Sequence, residues 1–188
     1  MSASSVIGDV TETLQGILVN QQLPARTFDV SLKSPAEESI VAAMKPVVNL
    51  FLFRVVENAN RKNQRWQPRG PTTLQYPPLT LDLFYVMTPF AEDKVDEHKV
   101  LGEAMRIFYD RAIIEAADLQ GSLAHSGEEL KIDLCQFDIE ELTRIWNALS
   151  KPYRLSVCYQ IRIVDIDSSI ERPSRRVIEK QHQFGQLA

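Results

Sequence analysis

Pro152-Tyr-Arg-Leu-Ser-Val-Cys-Tyr-Gln-Ile-Arg-Ile-Val-Asp165 is the stretch on which the fold of this chain turns. Tyr153, Leu155, Val157, Tyr159, Ile161 and Ile163 alternate with Arg154, Ser156, Cys158, Gln160 and Arg162. A period of two predicts a long strand with one face on a core and the other toward water or a partner. Its polar face carries no set of catalytic groups. A second strand, Leu79 to Thr88, repeats the pattern with Leu79, Leu81, Leu83, Tyr85 and Met87 on one side. Sheets of this kind build scaffolds and assembly surfaces more often than active sites.

Working outward, Val47 to Val56 is an almost continuous apolar run rich in β-branched and aromatic residues, which predicts a central strand. Lys131 to Phe137 reads as a further strand, and Thr27 to Leu32 as a short β-prone piece interrupted by Ser34-Pro35. The Glu37 to Met44 stretch suits either one helical turn or a loop. Helical spacing of Val6, Ile7, Val10, Leu14, Ile17 and Leu18 predicts a first helix, capped by Ser4 or Ser5 and ended near Asn20 ahead of Pro24. Val100, Leu101, Ala104, Met105, Phe108 and Ala112 mark a second helix from about Lys94 to Ala117. A third begins at Asp138, where Glu141 completes a capping-box pattern, and turns Leu142, Ile145, Trp146 and Leu149 inward until Lys151-Pro152 ends it. Between Glu57 and Pro78 the chain is polar and proline-rich, and reads as a connection without secondary structure.

Strands with irregularly interspersed helices predict an α+β fold, a mostly antiparallel central sheet with helices packed on one face. A doubly wound parallel sheet would need a regular alternation and Gly-rich turns that are missing. Residues 1–167 form one domain in this reading, and residues 168–188 a polar C-terminal arm. The Leu79 and Tyr153 strands are expected to share one sheet, packed on the helices of Leu101 and Trp146.

At 188 residues and 44% hydrophobic, the chain is long enough to bury one sizeable core. A formal net charge of -4 gives no global attraction to nucleic acid or anionic membrane. Cys135 and Cys158 fall in predicted strands and read as reduced packing residues rather than a disulfide framework. The N-terminus has no basic leader or unbroken apolar run, so neither a signal peptide nor a transmembrane helix is expected, and synthesis in the cytoplasm is.

An enzyme needs convergent reactive groups. His98, His125 and His182 have no partners at a metal-ligand spacing, and the acids beside His98, Asp96 and Glu97, read as a solvated helix face. There is no Gly-x-Ser-x-Gly elbow and no Gly-rich phosphate loop. Asp82 and Asp133 are accounted for by the polar side of a half-exposed sheet. No catalytic residue, metal site or cofactor is expected. The sharper candidate is Asn60-Arg-Lys-Asn-Gln-Arg-Trp-Gln-Pro-Arg69, which sets Arg61, Lys62, Arg65 and Arg69 around Trp66. Basic residues interleaved with an aromatic can follow a nucleic-acid backbone and stack a base. Arg and Trp are equally the residues of protein-interface hot spots, and protein docking is the preferred reading. The arm adds Arg172, Arg175 and Arg176, so the candidate interface set is Arg61, Arg65, Trp66, Arg69, Arg172, Arg175 and Arg176.

Taken in order, Val48-Asn-Leu-Phe-Leu-Phe-Arg-Val-Val-Glu-Asn58, Tyr76-Pro-Pro-Leu-Thr-Leu-Asp-Leu-Phe-Tyr85, Glu97-His98 leading to Leu101-Gly-Glu-Ala-Met105, and Leu142-Thr-Arg-Ile-Trp-Asn-Ala-Leu-Ser150 running into Pro152-Tyr-Arg-Leu-Ser-Val157 resemble a known family. It is the cap, or tube-terminator, protein of phage-tail-like extracellular contractile injection systems of the antifeeding-prophage and Photorhabdus virulence cassette type. The resemblance runs from about Ala3 to Asp167. It implies a tail-terminator-like fold and a non-enzymatic hexameric ring that ends the inner tube and holds tube and sheath together. The implied partners are further copies of the chain and the tube and sheath proteins, in a particle that can leave the cell; no membrane or nucleic-acid partner is implied. Two rivals from other classes remain: a nucleic-acid-binding protein using the 60–69 loop, and a small enzyme whose site the sequence does not display.

Overall fold

The computed structural model describes residues 5–23, 28–37, 45–125 and 129–174. In chain order these give α1 (Val6–Asn20), β1 (Asp29–Ser31), β2 (Val47–Glu57), β3 (Gln67–Pro68), β4 (Thr73–Gln75), β5 (Leu79–Phe90), α2 (Lys94–Asp110), β6 (Ile113–Ile114), β7 (Leu130–Leu134), α3 (Ile139–Ala148), β8 (Val157–Ile166) and β9 (Glu171–Pro173), with 3₁₀ turns at Ala59–Arg61 and Gly121–His125. Six strands form the main sheet in the order β1-β2-β5-β8-β7-β6, and β3-β4-β9 form a second, small one. All pairings are antiparallel except β1 with β2. The expected mixed α+β fold with a mostly antiparallel sheet is therefore the one adopted. The Glu37 to Met44 reading falls almost wholly on residues outside those described.

One face of the main sheet supplies Val48, Leu50, Leu83, Tyr85, Met87 and Ile161 to the core. Against it pack Val10, Leu14 and Leu18 of α1 and Leu101, Ala104, Ile107 and Phe108 of α2. Apolar residues at three- and four-residue spacing put each helix's stripe on the sheet, and every fully buried Leu or Phe contributes about 1.5–3 kcal/mol. Past the end of α1, the Gln22 carboxamide donates to the carbonyls of Leu18 (3.0 Å) and Phe28 (3.1 Å) and accepts from the Phe28 amide (3.1 Å). One buried side chain thus joins the helix to the strand that follows.

β5 and β8 pair within one sheet, as expected of the two alternating stretches, and they lie at its middle. The alternation does not run unbroken. Register steps from Leu81↔Val164 to Leu83↔Ile161, so three residues of β8 span two of β5. This bulge brings Val164, fully buried, onto the face of Ile161. β8 also begins at Val157 instead of Tyr153. Pro152 has no amide to donate, and Ser150 turns the chain at φ 56°. Residues 151–156 are then held by helices: the Trp146 indole donates to Ser156 Oγ (3.1 Å), and the Arg154 guanidinium bonds Glu97 on α2 (2.6 Å). Tyr153 and Leu155 stay exposed. Trp146 is buried, yet it lies outside the cluster that α1 and α2 make with the sheet.

α2 stops at Asp110, seven residues short of the expected Ala117. The Ala112 carbonyl accepts from the Ile132 amide (2.8 Å), and Ile113-Ile114 pair with Lys131 and Leu130. The sheet edge captures this β-branched pair, which suits a strand better than a helix. α3 has the expected capping box: the Asp138 carboxylate accepts from the Glu141 amide (2.8 Å), and the Glu141 carboxylate from the Asp138 amide (3.0 Å).

Candidate assembly interface

The polar connection from Glu57 to Pro78 is a folded lobe, not the unstructured excursion that its composition suggested. Asn58 starts it. Its side-chain oxygen accepts from the Asn60 amide (3.0 Å), while its Nδ2 donates to both Asp82 carboxylate oxygens (2.9 and 3.2 Å). Asp82 is therefore a buried anchor, a correction to its reading as a surface residue of the sheet. Ahead of β3, Asn63 turns the chain at φ 56°, and Gly70 at φ 93° lets β3 and β4 close as a hairpin, with the Arg69 amide on the Thr73 carbonyl (2.9 Å). The start of the polar arm then lies along β4, Glu171 opposite Gln75 and Pro173 opposite Thr73. The Gln75 side chain on the Ser168 carbonyl (2.6 Å) and the Tyr76 amide on the Ile170 carbonyl (2.9 Å) extend this seam.

The seam brings together candidates about a hundred residues apart in sequence. The Arg172 guanidinium sits 4.2 Å over the Trp66 ring, and Tyr76 meets the same indole edge-on, with centroids 5.3 Å apart at 81°. Arg69 Nη1 pairs with Glu171 Oε1 at 2.6 Å. An exposed ion pair adds at most about 1 kcal/mol and a cation–π contact about 0.5–1 kcal/mol, so these contacts orient the side chains more than they stabilise the fold. Arg61 and Arg65 are exposed and have no ion-pair partner among the described residues. Arg61 borders a hollow of about 310 Å³ with Tyr76, Leu79 and Ile170, all three more than 40% exposed. Arg175 and Arg176 lie outside the described residues. The result is a basic knob with an aromatic centre and an apolar base. β3 and β9, its two sheet edges, each contain a proline, Pro68 and Pro173.

A second crevice, about 650 Å³, escaped the sequence reading. Phe90 and Trp146 line it together with Tyr153, Arg154 and Leu155. Glu97, expected on a solvated helix face, is buried there. It accepts from Arg154 (2.6 Å) and Lys94 (2.9 Å), and Arg154 lies 4.5 Å over the Phe90 ring. His98 is exposed as expected. A carboxylate followed four residues later by a core position gives no signal of an arginine 57 residues away. Among the described residues no group of His, Cys, Asp and Glu is placed to hold a metal ion, and no helix is long and apolar enough to cross a membrane.

Residues 9–180 match the family model described as the Pvc16 N-terminal domain. The fold is similar to the sheath/tube terminator of PVC, an extracellular contractile injection system, in its extended state. The TM-score is 0.66 at 15% identity, over 100% of this chain and 67% of that one. It is also similar to the anti-feeding prophage cap, a tube-terminating cap, with a TM-score of 0.62 at 12% identity over 98% of this chain and 62% of that one. The chain thus spans about two thirds of the length of these solved relatives. No curated protein sequence matches it.

Proposed function

Because this chain belongs to the Pvc16 N-terminal domain family, we propose that it is a structural, non-enzymatic cap subunit of a phage-tail-like contractile injection system. Six copies form a ring that ends the inner tube and ties it to the sheath. The observation that carries this reading is the overlay of the whole chain on the PVC sheath/tube terminator. The lobe supports it locally. A closed ring uses two different patches on each subunit, and the basic cluster around Trp66 offers one, with Arg61 and Arg65 exposed for another molecule. Arg and Trp anchors supply much of the binding energy at protein interfaces.

Nucleic-acid binding by the same loop is weakened by the geometry, since Arg172 already occupies one face of the Trp66 ring and Tyr76 packs against it. The decisive experiment is deletion of the chain from cells that make the particle. Tubes or sheaths of uncontrolled length, or sheaths that contract early, are expected in electron micrographs. Particles of normal length and stability would overturn the proposal.

A further inference from the structure

Cys135, one residue past the end of β7, lies beside Cys158 of β8. The register that pairs Leu134 with Tyr159 reaches these two residues at the next step, where the Cys135 amide donates to the Cys158 carbonyl at 2.8 Å. Directly opposed residues of an antiparallel pair project from the same face with Cα atoms roughly 4.5–5.5 Å apart. A disulfide spans roughly 4.4–6.8 Å between Cα atoms, a range that includes this separation. Both thiols are free, Cys135 partly exposed and Cys158 almost fully buried.

We infer that Cys135 and Cys158 form an oxidation site, at which a small-molecule disulfide converts the two thiols into a cross-strand disulfide within the folded chain. Accessibility sets the order. The Cys135 thiolate attacks one sulfur of the oxidant, whose S–S bond breaks and releases one reduced thiol. Cys158 then attacks Cys135 Sγ of the mixed disulfide and releases the second. Two protein thiols are oxidised and one oxidant disulfide is reduced to two thiols, with both hydrogens passing to them. Burial first, and then the Asp133 carboxylate, pushes the Cys135 thiol up to about 11; burial pushes Cys158 up to about 12. Thiolate is the reactive form, so the pair persists as thiols in reducing surroundings and reacts slowly outside them. The cross-link closes a loop that contains all of α3 and the residues 151–155 that wall the Trp146 crevice. It would fasten that segment to the main sheet.

The test is incubation of the purified full chain with oxidised glutathione, followed by intact mass, thiol titration and peptide mapping. Expected are loss of both thiols, a mass lower by two hydrogens, a Cys135–Cys158 linked peptide and full reversal by a reducing agent. Cys158→Ser should stop at a single glutathione adduct on Cys135, and Cys135→Ser should stay unmodified while folded. A wild-type chain that stops at the Cys135 adduct overturns the inference. So does one that forms dimers through Cys135, or one that keeps both thiols while the urea-unfolded chain loses them under the same oxidant.

Discussion

Asn49 and Thr88 face each other across β2 and β5, both fully buried, and each has a side-chain oxygen without a hydrogen-bond partner among the described residues. They lie on the face of the sheet turned away from α1 and α2, one residue out of phase with Leu50 and Met87. The two are not equivalent. Asn49 Nδ2 donates to the carbonyls of Lys33 (2.6 Å) and Ser31 (3.3 Å), so it holds the end of β1 against β2. Among the described residues the Thr88 hydroxyl makes no bond at all.

Removing these two groups should therefore move stability in opposite directions. Asn49→Ala removes the donor from the Ser31 and Lys33 carbonyls and is expected to cost about 0.5–1.5 kcal/mol. Thr88→Val replaces an unsatisfied hydroxyl with a methyl group and is expected to be neutral or to stabilise by up to about 1 kcal/mol. Urea unfolding of the two variants measures both. A Thr88→Val loss above about 1 kcal/mol would mean that the hydroxyl is paired in solution.

Trp146 is the largest fully buried side chain and carries a bond from its indole to Ser156. Trp146→Ala should cost about 3–5 kcal/mol. Because this side chain lies outside the main cluster, the loss should appear first as faster hydrogen exchange in α3 and residues 151–156. Uniform loss of protection over β5 would show instead that α3 is integral to the main core.

Asp9 on α1 binds the turn at Gly121–His125. Its carboxylate accepts from the Ser122 amide (3.0 Å) and the Ser122 hydroxyl, which hold its pKa below the usual carboxylate value. A lowered folded-state pKa contributes stability that is complete above the unfolded value, about 3.9, and is lost as pH falls through the folded one. The stability advantage of the wild type over Asp9→Asn should accordingly shrink below about pH 4. A difference independent of pH would remove Asp9 from the acid response. Gly121 is part of the same contact: its φ is 61°, and a Cβ there would lie 2.5 Å from the Asp9 carboxylate carbon. Gly121→Ala should thus be destabilising by about 1 kcal/mol or more.

Arg61→Glu combined with Arg65→Glu reverses charges that have no ion-pair partner among the described residues. The melting temperature should barely change, while incorporation into particles is lost. Trp66→Ala removes the ring that Arg172 and Tyr76 pack on and should loosen the lobe by about 1 kcal/mol without unfolding the main sheet. Normal assembly of the charge-reversed variant would reduce the lobe to a solvated ornament. Unfolding of the Trp66 variant would make the lobe part of the core.

The strands that read correctly from sequence, β2, β5 and the body of β8, are those whose own apolar pattern dominates. The cap of α3 read correctly because Asp138 and Glu141 interact only with each other's backbone. What failed depended on distant partners. The bulge in β8 is a property of its pairing with β5, and α2 ended early because the edge of β7 was waiting for Ile113 and Ile114. Glu97 looked solvated because Arg154 was invisible to it in sequence. Trp66, Arg69 and Arg172 stand out in the sequence by composition alone. Their gathering into one cluster follows from the pairing of β4 with β9, which no local pattern announces. The Trp146 crevice was missed because its wall was assigned to a strand.

An exposed backbone edge is a template: another strand can pair with it, and a further one with that, without limit. Pro68 and Pro173 interrupt that ladder on both sides of the lobe, because a proline nitrogen has no hydrogen to offer. The knob can be recognised through its side chains but is poorly suited to extension. Its valence is thereby finite, which is the property a last layer needs if whatever grips it is not to keep growing.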